Sequence, residues 1–390
     1  MKKSVLALGF FGLFTSNEML AAPISQSSPE VHHSQWWKGI SFTNQIDLEG
    51  VANLSGGQAR GSVATGLWQG SLRLDTEKAG WWQGGAFVVE GLVANSGNPD
   101  NYVGDLQGVS NLTTPRAHVA RLYKAYYRQN VGQFTFRLGI LNPNDYFNTT
   151  GVASELFNAS FGIYPTISIN LPYTPTYPYS SLGAMLSYTW QQSTLLVGAF
   201  NADGTQDLRH PWGAEGQIYY GEWDQLVPAG SGEITLKLGG YYNHVSSAYL
   251  AQNTPFGGAP SQGGYYGAAE YRWKAGNGSE WGAFLQGGGA PNSSVVSPVN
   301  AYVGAGLRLR NFLPGSARST LTIGLNRAWL RQSGAESAIE INFRQPVFHS
   351  FYLQPDLQYI INPGARAPGS TLPNAVVLML RVGWSGDIWG

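Results

Sequence analysis

The sequence predicts an all-β chain that closes into a transmembrane antiparallel β-barrel of about sixteen strands, with one loop folded inward as a constriction. Three observations lead there. Short segments alternate apolar and polar residues with the period of a two-faced strand. Aromatic residues gather at the ends of the apolar faces, where interfacial girdles would lie. Beyond the N-terminal segment, no stretch approaches the ~18 consecutive apolar residues of a spanning helix. In lipid, the remaining way to satisfy every backbone N–H and C=O is a closed barrel.

The first element is an export signal, expected over residues 1–22. Lys2 and Lys3 supply its positive start, Val5 to Phe14 its apolar run, and Ala21 and Ala22 the small residues near a cleavage point. The run is too short for a spanning anchor, which needs ~20 apolar residues. The mature chain is then 23–390, with 23–37 as a periplasmic lead-in to the first strand.

The strands follow in order, near residues 40, 65, 84, 121, 134, 182, 195, 215, 234, 265, 282, 301, 320, 338, 351 and 376. In the first, Ile40, Phe42, Ile46 and Leu48 oppose Thr43, Gln45, Asp47 and Glu49. In the second, Trp68, Leu72 and Leu74 oppose Gln69, Ser71, Arg73 and Asp75. Near 134, Phe134, Phe136, Leu138 and Ile140 oppose Thr135 and Arg137. Later, Ile234, Leu236 and Leu238 oppose Glu233, Thr235 and Lys237, and Ile339, Ile341 and Phe343 oppose Glu340, Asn342 and Arg344. A soluble sandwich alternates too. The tilt toward a barrel comes from the strand number, from end-of-face aromatics (Trp36, Trp37, Trp81, Trp82, Trp190, Trp273, Trp281, Trp384), and from a polar face rich in Gly, Gln and both charge signs. A barrel this wide keeps an aqueous lumen.

The segment 142–180 breaks the rhythm. Pro143, Pro165, Pro172, Pro175 and Pro178 exclude a strand pair, and its many Tyr and Phe residues would be costly to leave in water. It is expected to fold into the lumen.

Charged residues are 12% of the chain, with Lys+Arg and Asp+Glu balanced at 23 each, which removes a nucleic-acid footprint. There is no Cys, hence no thiol chemistry. The six histidines fall mostly at strand ends or loops, and neither a G-x-S-x-G elbow nor an H-x-x-x-H pair is present. No catalytic, cofactor-binding or metal-ligating residue is expected. Strand parity instead sends Asp47, Glu49, Arg73, Asp75, Glu90, Lys124, Arg128, Arg137, Glu270, Arg272, Arg308 and Asp356 toward the lumen, together with Lys237, Glu340 and Arg344. The same Arg or Lys facing lipid near mid-membrane would cost ~2–4 kcal/mol each.

Particular phrases resemble the carbohydrate-selective porin family of the OprB type: GVANLSGG at 50–57, LWQGSLRLDTEKAGWWQGG, LYKAYYRQNVGQFTFRLGILNPNDYFNTTGVASELFNASFG, VGAFNADG at 197–204, LKLGGYYNH and QPDLQYIINPG at 354–364. Their order spans nearly the whole mature chain. The resemblance implies a sixteen-stranded barrel of the outer membrane that passes sugars such as glucose by diffusion through a constriction of polar, charged and aromatic residues. It fixes no individual constriction residue. Balanced lumen charge agrees with neutral solutes. The expected partners are monosaccharides, outer-membrane lipid and the barrel-assembly machinery, with a homo-oligomer left open. The competing expectations are a relative retuned to another small solute such as an amino acid, and a non-conducting structural or adhesive barrel. Barrels of this kind usually finish on an aromatic residue; here the last strand runs past Trp384 through Trp389 to Gly390.

Overall fold

Each of sixteen antiparallel strands pairs with the next, and the last returns to the first, so the sheet has no edge. The computed structural model describes residues 36–171, 174–205, 216–245, 261–276, 278–291, 298–313, 318–331, 334–348, 350–364 and 370–389. The expected export signal and most of the lead-in lie outside them. In chain order the strands are β1 Ile40–Ser55, β2 Gly61–Asp75, β3 Gly85–Ser96, β4 His118–Val131, β5 Phe134–Leu141, β6 Ser181–Trp190, β7 Ser193–Asn201 and β8 Gly216–Ala229. Then come β9 Gly232–Val245, β10 Ser261–Lys274, β11 Glu280–Gly289, β12 Val299–Arg310, β13 Thr320–Leu330, β14 Gly334–Pro346, β15 Phe351–Ile361 and β16 Ala375–Trp389. Every strand expected from the alternation is present.

The alternation faces the way a membrane barrel requires. Leu48 is 59% exposed on the outer wall, while its neighbours Asp47 and Glu49 are 0% and 2% exposed inside. Leu72, Leu138, Leu238, Leu307, Leu325 and Leu380 are likewise exposed. A soluble protein does not present an apolar wall this continuous. Both rims carry aromatics. Trp81, Trp82, Phe134, Phe348 and Phe351 stand exposed at the end with short turns, and Tyr219, Tyr242, Tyr265 and Tyr359 at the end with long loops. At the first rim Trp273 stacks on Trp281 at 5.9 Å between ring centres. Short turns mark the periplasmic end of such barrels. Two of these turns need a positive φ that Gly132 and Gly230 adopt without strain.

One irregularity is written in the sequence. Pro355 stands in the middle of β15, and having no N–H it cannot complete the ladder. Pairing with β14 is recorded at Asn342–Asp356 and Gln345–Leu353 but not between them, while pairing with β16 continues through Pro355 opposite Leu380.

Two long loops fold into the barrel from the long-loop end. Residues 142–180 carry four short helices, Pro143–Asp145, Ala153–Glu155, Ala159–Phe161 and Pro165–Ser168. Their Phe147, Phe157, Phe161, Tyr164, Ile167 and Leu171 are fully buried. They pack on an aromatic inner wall: Phe147 stacks on Tyr220 at 5.1 Å, Phe161 meets Phe284 edge-on at 5.8 Å, and Tyr164 lies 5.1 Å from Tyr302. Small wall residues make room. A Cβ at Gly324 would lie 2.4 Å from Leu156 Cδ1, and one at Gly282 would lie 2.7 Å from Val152 Cγ2. The second inward loop, 97–117, is stitched to the first by Asn111 N–H to Phe157 O at 2.7 Å and Ala159 N–H to Gly108 O at 2.8 Å. Nothing in the alternation singled it out.

Candidate functional site

The candidate site is the lumen, and its shape is set by how the wall grips these loops. Helical segments in a loop leave backbone N–H groups without partners. Inward glutamates supply the acceptors. Glu222 of β8 accepts from Asn148 N–H at 2.7 Å, and Glu270 of β10 from Val152 N–H at 2.6 Å. Glu340 of β14 accepts from Phe157 N–H at 2.5 Å and Asn158 N–H at 3.0 Å. Glu336, also on β14, takes three: Leu106 at 2.8 Å, Gln107 at 2.9 Å and Gly364 at 2.6 Å. Charge-assisted bonds of this kind are the stronger class.

A bulge in β4 anchors the ends of the 142–180 loop. Glu90 pairs with Lys124 but Gly91 pairs with Leu122, so Tyr123 is the extra residue. The bulge places both Tyr123 and Lys124 inside. Asn142 donates to the Tyr123 hydroxyl at 2.9 Å, and the Ser180 hydroxyl donates to the Tyr123 carbonyl. Lys124 binds Glu90 at 3.3 Å and Asp145 of the loop at 2.7 Å.

The residues singled out by parity divide into two groups. The first lies buried against the loops. Asp47 accepts from the Tyr352 hydroxyl and from Gln45 at 2.6 Å. Glu49 takes Arg381 at 2.5 Å and the Ser110 hydroxyl. Asp356 accepts from Asn342 at 3.0 Å and Gln358 at 3.1 Å. Glu90, Lys124, Glu270 and Glu340 belong here, as does Lys237, which bridges Glu222 at 2.9 Å and Asp224 at 2.8 Å. The second group stands toward the short-turn end. Arg73 reaches Asp75 at 3.4 Å, and Arg272 reaches Glu233 at 2.8 Å and Glu270 at 3.1 Å. Arg128 and Arg137 are direct cross-strand partners, with the Arg137 guanidinium 4.8 Å over the Tyr146 ring. Arg308 lies 3.8 Å from Glu155 of the loop, which also holds Arg310, and Arg344 stacks 4.0 Å over Tyr352.

Three inward residues complete the set. Arg381 bonds Glu49 and, at 2.7 Å, Asn111, and lies 3.7 Å over the Phe157 ring. Its parity opposite Leu380 and Val382 was a usable signal. Arg121 sits 5.1 Å over the Tyr179 ring, and with Tyr123 it lies on the side of the bulge where odd numbers point inward. A bulge cannot be read from parity, so these two carried no signal.

In the 97–117 loop Asp105 is enclosed beside Asp100 and Glu336. Burial, then its two acidic neighbours, push its carboxyl well above the usual range, and burial raises Asp100 to about 6. Among the described residues no His, Cys, Asp and Glu cluster could hold a metal ion, and no helix is long and apolar enough to cross a membrane.

Comparison with known proteins agrees with this geometry. The model of the carbohydrate-selective porin, OprB family, matches residues 59–385. The high-pH structure of Pseudomonas putida OprB superposes with a TM-score of 0.78 at 17% identity, covering 90% of this chain and 94% of that one. The low-pH structure of the same protein gives 0.58 at 16% identity over 90% and 93%. The outer-membrane channel DcaP of Acinetobacter baumannii gives 0.52 at 14% identity over 89% and 97%. No curated protein sequence matches. An apolar outer wall, a charged lumen and inward loops thus meet in a chain that belongs to the OprB family of carbohydrate-selective porins.

Proposed function

We propose that the chain is an outer-membrane channel through which monosaccharides such as glucose diffuse passively, sorted where loop 142–180 narrows the lumen. The observation that carries the sorting step is the pairing of half-exposed rings with guanidinium groups beside that loop, Tyr146 with Arg137 and Tyr179 with Arg121. A ring offers a flat surface to the C–H face of a sugar, and guanidinium N–H groups replace the water bonds of its hydroxyls. Neither holds the solute so tightly that it cannot leave.

Within the parity set, the proposal gives solute contact to Arg73, Asp75, Arg137 and Arg272, which keep access to water. It gives Asp47, Glu49, Glu90, Lys124, Glu270, Arg308 and Asp356 an indirect part, through the loops they grip, and Arg128 a place behind Arg137. Residues 1–22 serve as the export signal and 23–37 as the periplasmic lead-in. Outer-membrane lipid and the assembly machinery are the remaining partners, homo-oligomers are compatible with the outer wall, and no chemistry is catalysed. Liposome swelling with glucose, arginine and a disaccharide tests the reading. Faster glucose uptake than size alone allows supports it; rates ordered by size alone defeat the selectivity.

A further inference from the structure

The wall charges balance over the chain but not along the pore. The mid-height carboxylates Glu222, Glu270 and Glu340 are engaged by loop N–H groups and covered. Toward the short-turn end the inward charges are chiefly arginines. Arg73, Arg137, Arg272, Arg310 and Arg344 each lie within four residues of a strand end and are partly exposed, the side chains of Arg73, Arg272 and Arg310 by 31%, 35% and 32%. Arg128 and Arg308 lie more deeply among them. The carboxylates at the same level are Asp75, Glu233, the Glu155 carried by the loop, and Asp387, which β16 places opposite Thr43. At the rim, Lys38, Lys78, Lys274 and Arg318 stand with Glu77 and Glu280. Both tiers carry a positive excess among the described residues. Arginine stays charged at any working pH, and a low-dielectric cleft lined by one sign focuses its field on the solution inside.

We infer that this arginine-lined periplasmic mouth makes the pore anion-selective and favours sugars bearing a single carboxylate. The ion preference stands on the wall alone; the sugar-acid preference also rests on the porin reading above.

The test uses the purified full-length protein in planar bilayers. Under a tenfold KCl gradient around 0.1 M, the chloride-to-potassium permeability ratio is expected above about three. It should fall toward one when the salt is raised about tenfold, because the Debye length shrinks from ~10 Å to ~3 Å. The same measurement with potassium gluconate should give a gluconate-to-potassium ratio above one. In the combined variant Arg73→Gln, Arg272→Gln, Arg310→Gln both ratios should drop at least twofold. A ratio at or below one in the unaltered protein at low salt overturns the inference, whatever the variant does. Glucose swelling on the same preparation separates the two readings. Glucose uptake with no anion preference removes the inference and keeps the porin; anion preference without glucose uptake does the reverse.

Discussion

Removing the carboxylate of Glu340 should loosen the inward loop while leaving the barrel closed. Glu340 is wholly buried, and its two oxygens accept the N–H groups of Phe157 and Asn158. In Glu340→Ala both donors lose their partner in a dry site. A buried donor left unsatisfied costs about 1–3 kcal/mol, so the loop should lose roughly 2–6 kcal/mol of docking free energy. Glu340→Gln keeps one carbonyl acceptor, and its effect should be about half as large. The strand ladders do not pass through this side chain, so the heat-resistant mobility of the folded barrel on gels should persist. Hydrogen exchange over 155–160 should accelerate by about tenfold per 1.4 kcal/mol lost. Single-channel records should show added open-state noise and a larger mean conductance. Unchanged exchange at Phe157 and Asn158 in a closed barrel would refute the clamp.

Other outcomes follow from the same geometry. Lys124→Met strands Glu90 and Asp145 without their cation, and breaking a buried pair in this way costs about 3–5 kcal/mol; the yield of heat-resistant barrel should fall, and an unchanged yield would deny Lys124 its anchoring part. Gly324→Leu drives a side chain into Leu156 and Phe161, where overpacking costs about 1–3 kcal/mol or more, so conductance should change before barrel stability does. Arg137→Ala should alter glucose flux more than stability; intact flux with a lost heat-resistant form would reverse that assignment. The carboxyls of Asp100 and Asp105 are raised in the folded loop, so the fold holds more protons than the open chain. That stability is full below the ordinary value of 3.8 and declines as pH rises through about 6 and beyond. Channel noise should therefore grow between pH 4.5 and 8, and Asp105→Asn should flatten the trend.

Much of the fold was legible because a membrane barrel writes its two solvents into alternate residues. Leu48 beside Asp47 and Glu49, or Ile341 beside Glu340 and Asn342, admit one orientation only. The largest offsets in strand position, at β2, β10 and β14, come from Gly61, Ser261 and Gly334, small residues that extend a ladder without advertising a face. The site was less legible. Parity reports which way a side chain points and is silent about what lies on top of it. Asp47 and Arg73 look alike in sequence, yet one is sealed beside Tyr352 and the other keeps water. The β4 bulge, which turns both Tyr123 and Lys124 inward, shifts the parity halfway along a strand. The overall charge balance, which suggested neutral solutes, averages over a gradient that exists only along the pore.

The clamps on the inward loop also dictate an order of events. Asn148, Val152 and Phe157 are held by residues 74, 118 and 183 positions away along the chain. Contacts of such separation form late, after the intervening strands have zipped into place. A newly inserted barrel therefore passes through a wide, unselective stage and becomes a filter only when β14 arrives to seat the loop.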